Sequence, residues 1–199
     1  MSLAEEILQL EAALRREKVC PEILNFESEL VNKVVTAIES KQKLINSITI
    51  ETIEQQFETQ IYQLDLDRIK YLLSNYLRTR LFKIQALAFT IVITNKADML
   101  SRKELAFLEK YYIIKTNLFK KSFLLKIPEE FRSIDHEDHS TSPDTEPEMN
   151  KHVFIRALDT IGNCKLPNGQ TANINKDDIY LLPYSLIKPL IELKKIDLI

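Results

Sequence analysis

Histidine, cysteine and arginine are the residues of this chain whose types and spacing could do chemistry. His136 and His139 stand three apart among acids, a spacing found in metal sites. No cysteine joins them, and the stretch around them has too little apolar side chain to fix a ligand geometry, so no metal site is expected there. Cys20 and Cys164 have no neighbouring histidine that could activate a thiol. Carboxylates are plentiful, but they alternate with lysine on helical faces, which is the pattern of solvated surface. The whole sequence contains two glycines, Gly162 and Gly169, and a phosphate-cradling loop of the P-loop or dinucleotide type needs several. Enzymes built on those loops are excluded. No catalytic activity and no cofactor is expected.

Arginine is the sharper case. In YLLSNYLRTRLFKIQ, residues 71–85, Arg78 and Arg80 sit two apart in an otherwise apolar, strongly helical run. They could grip a phosphate, take part in a reaction or hold protein. The net charge is −2, so no strong global field draws the chain to nucleic acid or an anionic membrane. A polyanion would need a local patch, for which Arg78, Arg80, Lys83 and the pair Lys120–Lys121 are the basic candidates.

The elements that must carry these residues are legible from periodicity and breakers. Six of the seven prolines and both glycines lie at or after residue 128, which divides a breaker-poor first part from a turn-rich end. Leu3, Ile7, Leu10 and Leu14 make one helical stripe, and Pro21 opens a new segment. Leu30, Val34, Ile38 and Ile45 mark a second helix. A third, without glycine or proline, is predicted from about residue 50 to about 92 with room for a kink. Ser101-Arg-Lys-Glu104 has the form of a capping box, opening a fourth helix that should end before Pro128.

Residues 133–150 hold six acids, two prolines and no lysine or arginine, a composition that cannot offset its ordering entropy. A flexible linker is expected there, with Ser142 and Thr145 as candidate phosphorylation sites, against a plain spacer as the simpler reading. Beyond it, residues 152–158, 179–184 and 195–199 read as strands, with an Asn168-Gly169 hairpin turn. The fold class is therefore α+β: a helical bundle domain (1–132), an acidic linker (133–150) and a small β-rich domain (151–199). That last piece is too small to be more than marginal alone. Two widely separated cysteines, a start unlike a signal peptide and no apolar run near the roughly 20 residues of a membrane span point to a soluble intracellular protein with no membrane contact.

On a helical wheel for residues 64–91, Leu66, Ile69, Leu73, Tyr76, Leu77, Ile84, Leu87 and Ile91 share one broad apolar arc. Arg80 falls in its middle. Arg78 is nearly opposite, beside a second stripe of Leu64, Tyr71, Phe82 and Phe89. Arginines that face different ways cannot form one phosphate clamp. A helix apolar on two faces must be covered twice, and an arginine inside the apolar arc is expected to reach a carboxylate within the bundle or across an interface, against the simpler reading that its long stem carries the charge to water at the bundle edge.

The segment LDLDRIKYLLSNYLRTRLFKIQ resembles the signature of the Sld-five family of the eukaryotic GINS complex, (E/D)-x-x-R-(I/V)-x-(Y/F)…Y-L-R-x-R-L-x-K-I. Gln85 stands where the family pattern has glutamate. AEEILQLEAALRREKVCPEIL resembles that family's opening, LSRKELAFLEKYYIIKTNLFKKSFLLKIPEEFRSID its later helix and exit, and HVFIRAL with LIKPLIELKKIDLI its C-terminal domain. The resemblance implies a nuclear, non-catalytic scaffold subunit of a heterotetramer with three sister GINS subunits. It further implies association with the Mcm helicase ring, a Cdc-type accessory protein and the replicative polymerase, with DNA met only indirectly or weakly. Arg68, Tyr76, Arg78, Arg80 and Lys83 are then expected as interface or buried ion-pair residues. Val153, Phe154, Ile155, Leu190, Ile196 and Leu198 are expected as a C-terminal docking surface. The alternative is a nucleic-acid-binding module using basic residues of the helical domain.

Overall fold

The computed structural model of the chain describes residues 3–49, 52–128, 147–165, 171–193 and 195–199. The acidic stretch up to residue 146, with His136, His139, Ser142 and Thr145, and the turn at Asn168-Gly169 lie outside the described residues. The architecture is α+β. Helices α1 (Leu3–Val19), α2 (Ser28–Ser47), α3 (Ile53–Ala86), α4 (Ala88–Ile93) and α5 (Arg102–Ser122) precede strands β1 (His152–Ala157), β2 (Gly162–Lys165), β3 (Thr171–Ile174) and β4 (Ile179–Pro183). Helix α6 (Tyr184–Glu192) and strand β5 (Ile196–Leu198) close the chain.

Two compact units do not follow chain order. The first joins residues 1–20, 27–79 and 152–199, and the second residues 21–26 and 80–151. In the first unit, α1 lies against α2 and against β5. Among its buried helical positions are Leu10, Leu14, Leu30, Val34, Leu66, Ile69 and Leu73, each set spaced three or four apart so that one face goes inward. The Tyr76 ring is buried, and its hydroxyl accepts from the Glu27 N–H at 3.4 Å. The small sheet runs β4-β1-β5, antiparallel throughout, with Phe154 opposite Leu181 and Ile155 opposite both Tyr180 and Leu198. Strand β1 alternates strictly: Val153, Ile155 and Ala157 are buried, while His152, Phe154 and Arg156 are exposed. Helix α6 contacts β4 and β5, and buries Ile187. The sheet is also tied to α1, where Arg16 Nε meets Asp197 Oδ1 at 2.7 Å and the Cys20 thiol donates to the buried Tyr184 hydroxyl at 3.1 Å.

Two elements differ from the expectation. Tyr184 opens α6 and does not finish a strand. Pro189 inside that helix removes the amide that would reach the Ser185 carbonyl, and since Ser185 is exposed, water can satisfy it. The long helix ends at Ala86 and α4 begins at Ala88. Leu87, Ala88 and Phe89 are all buried, and three successive residues span about 200° of a straight helix, too wide for one covered face. The backbone turns at Leu87 (φ −99°, ψ 15°) while the Leu87 N–H to Lys83 and Ile91 N–H to Leu87 bonds, 2.8 and 2.9 Å, carry the ladder across.

Candidate functional site

The two arginines of YLRTR have opposite fates. Arg80 is fully buried, in the second unit, and its whole fork is engaged. Its Nε donates to Glu104 Oε1 at 2.7 Å and its Nη2 to Glu104 Oε2 at 3.3 Å, a bidentate pair. Nη1 donates to the Leu24 carbonyl at 2.7 Å, Nη2 also to the Met99 carbonyl at 3.2 Å, and the Phe26 ring lies 5.3 Å from the guanidinium carbon. The partner carboxylate is itself held. Glu104 is the acid of the capping box, at the third position of the helix: its Oε2 accepts from Ser101 N–H at 2.8 Å, and Ser101 Oγ accepts from Glu104 N–H at 3.3 Å. A charge placed in the first turn of α5 also faces the positive end of that helix.

Arg80 thus ties three backbone segments together: residues 21–26, the turn ending at Met99 and the start of α5. Lys83 works on the same segment, donating to the Glu22 carbonyl at 2.9 Å, and Lys96 Nζ lies 3.4 Å from Glu22 Oε2. Ile23, Ile84, Leu87, Ala88, Ile91 and Leu108 form the apolar cluster next to these contacts. Such an arrangement holds backbone. With its Nε, Nη1 and Nη2 directed at protein oxygens, Arg80 is no phosphate ligand.

Arg78 is exposed, in the first unit, as is Arg68, whose Nη2 reaches Glu11 Oε1 only at 3.6 Å. Around them α3 presents an uncovered face. Ile53, Phe57, Ile61, Leu64 and Tyr71 lie within about 80° of each other on the wheel, and all are exposed, from 43% for Ile61 to 86% for Ile53. The buried residues Leu66, Ile69, Leu73 and Tyr76 occupy the opposite side.

Of the second stripe expected from sequence, Leu64 and Tyr71 belong to this face and Phe82 is exposed in the second unit. Phe89 is a correction. The break at Leu87 turns it inward, where it meets Tyr112 edge-on at 5.4 Å and stacks on Phe119 at 6.0 Å, covered by the chain's own α5. The expected C-terminal docking set needs the same correction. Val153, Ile155, Ile196 and Leu198 are the sheet's own core, because alternation along β1 and β5 turns them toward the covered side, and Leu190, on α6, is half-buried. Phe154 alone of the six is exposed, and its outward neighbours are Leu181 and Ile179.

Glu104, Glu22 and Phe26 are the site residues that sequence reasoning did not single out for Arg80 and Lys83. Glu104 carried a signal as the capping-box acid. Glu22 and Phe26 carried none, since their contacts close over 61 and 54 residues of chain. Among the described residues no group of three or more His, Cys, Asp and Glu could hold a metal ion, and no helix is long and apolar enough to cross a membrane.

Fold and site together define a two-part α+β protein whose inward cations brace its own backbone and whose longest helix presents an apolar outer face. Comparison with known proteins agrees in both parts. Residues 27–123 match the family described as GINS complex protein helical bundle domain, and residues 147–199 the one described as DNA replication complex GINS protein SLD5 C-terminus. The DNA replication complex GINS protein SLD5 of Dictyostelium discoideum is 32% identical over 197 residues, spanning 96% of this chain and 90% of that protein. Its namesake in Arabidopsis thaliana is 30% identical over 96% of this chain and 89% of its own length. The human one is 26% identical over 98% and 90%. The chain belongs to the SLD5 family of DNA replication complex GINS proteins.

Proposed function

We propose that this chain is a non-catalytic scaffold subunit of a GINS heterotetramer, assembled with three sister GINS subunits in the nucleus. In that assembly it joins the Mcm helicase ring and a Cdc-type accessory protein in the replicative DNA helicase, for initiation and elongation of DNA replication. The replicative polymerase is a neighbour, and DNA is met only indirectly or weakly. The observation that carries this reading is similarity to SLD5 proteins along nearly the whole chain, through both the helical and the β part. The outer face of α3 supports it physically, since an exposed apolar ridge of this length is a surface for another protein.

Co-expression with the three sister subunits, followed by gel filtration, tests it. The expected result is one peak holding all four chains in equal amounts. Absence of that peak, together with tight single-stranded DNA binding by the lone chain that falls steeply with salt, would replace it with a nucleic-acid-binding module.

A further inference from the structure

On helix α5, cations and apolar side chains share one outer face. With Lys103 as reference at 100° per residue, Lys110 lies at about −20° and Lys121 at about 0°, a single row. Phe107, Tyr111, Ile114 and Leu118 lie beside that row, at about +20° to +80°. Their spacings of four, three and four residues are those of a heptad seam. Ile114 and Leu118 are 67% and 59% exposed, and Phe107 and Tyr111 are half-buried with their rings stacked at 6.0 Å. The core side of the helix is elsewhere: Leu108, Tyr112 and Phe119, at about 140° to 180°, pack within the second unit.

Helix α5 has two acids, and neither serves this face. Glu104 is buried on Arg80, and Glu109 lies about 120° from the lysine row. The three lysines are exposed, and among the described residues none of them has an ion-pair partner.

We propose that this face receives an α-helix of a partner protein. The partner helix lays an apolar seam along Phe107, Tyr111, Ile114 and Leu118 and a row of carboxylates along Lys103, Lys110 and Lys121. Seven and eleven residues separate the lysines, about 10.5 and 16.5 Å at 1.5 Å per residue and close to two and three turns. Carboxylates at the same spacings share one face of a partner helix and meet all three. Charged residues flanking an apolar seam set partner choice between paired helices in this way. The proposal rests on the reading of the chain as a subunit of a protein assembly and adds the chemistry of one partner. A second copy presenting the same face brings three more lysines and no carboxylate. Nucleic acid would match the lysines but leave Ile114 and Leu118 uncovered. The chain's own residues 133–150 hold carboxylates, but their large apolar side chains are Ile134 and Met149 alone, too few to cover the seam.

The test uses the full chain co-expressed with the three sister subunits. Carbodiimide couples a lysine amine to a carboxylate in contact with it, and peptide mass spectrometry reads which pairs formed. Links from Lys103, Lys110 and Lys121 to acids on one helix of another chain are expected. K103E/K110E/K121E should raise the dissociation constant of the complex about tenfold near 0.1 M salt, with a smaller deficit near 0.5 M. K103R/K110R/K121R should stay near wild type, because the charge is kept, and I114D should weaken assembly at both salt concentrations. All four positions are exposed, so unchanged circular dichroism is expected for each variant.

A wild-type complex that forms links elsewhere but none at the three lysines overturns the proposal and leaves the assembly reading intact. Links confined to residues 133–150 of the same chain make that segment the occupant, and links between two copies make it a second copy; either overturns the proposal. So does loss of DNA binding in K103E/K110E/K121E with assembly and its salt response unchanged. Failure of the wild-type chain to assemble removes the assembly reading, and the proposal with it.

Discussion

Replacing Arg80 by methionine keeps most of the side chain's length and apolar volume but removes its charge and its donors. The guanidinium makes two contacts to Glu104, one to the Leu24 carbonyl and one to the Met99 carbonyl. In the variant Glu104, only 5% exposed, would lose both guanidinium contacts and keep the bond from Ser101 N–H. Breaking a buried ion pair from one side costs about 3–5 kcal/mol. For a chain of this size that is a fall in melting temperature of about 10 °C. Arg78→Met, two residues along but exposed, should change stability by less than about 0.5 kcal/mol. Urea unfolding followed by far-ultraviolet circular dichroism reads both variants, and a double-mutant cycle with Glu104→Gln isolates the pair. The double variant should be about 2 kcal/mol more stable than the sum of the two single losses predicts. If Arg80→Met matches Arg78→Met within about 1 kcal/mol, or the cycle shows strict additivity, the buried pair does not hold the second unit together.

Ser101→Ala removes the hydroxyl half of the capping box and should cost about 1 kcal/mol by the same unfolding assay, leaving Glu104 on Arg80. Phe89→Ala should cost about 3–4 kcal/mol, since the ring is packed against Tyr112 and Phe119; a loss under about 1 kcal/mol would return Phe89 to the surface. Leu64→Asp should leave the unfolding of the lone chain within about 0.5 kcal/mol of wild type and make that chain more soluble, measured by light scattering at high concentration.

The helical part was legible in sequence wherever one periodic face was enough to define an element. The capping box at Ser101 and Glu104 is a local pattern, and it is present as read. What sequence could not give is register across distance. Glu22 and Phe26 meet Lys83 and Arg80 because a loop closes onto α3 and α5, and no spacing encodes that closure. Phe89 misleads for a different reason: a wheel assumes a straight helix, and the turn at Leu87 changes the phase of every residue after it. Helix α6 hides behind Pro189, whose usual meaning is a break and whose lost bond here falls at an exposed turn. In the small sheet, the strands were readable but their faces were not. A run such as Val153-Phe154-Ile155 is apolar at every position, and only pairing with β4 and β5 decides that Phe154 looks outward.

That last point bears on how a chain with an apolar outer face stays specific. An uncovered ridge of Ile, Phe, Leu and Tyr would accept many apolar surfaces, because burial of apolar area is non-directional. Discrimination then needs a term that penalises wrong partners, and charge supplies it. Arg80 cannot serve, since its guanidinium is already committed within the chain to Glu104 and two carbonyls. Arg68 and Arg78 lie on the exposed side of the same helix, together with exposed acids such as Asp65 and Asp67. The spacing that sets Arg78 and Arg80 two residues apart therefore separates them by about 200° of helix: one cation braces the fold from within, and the other is left outside.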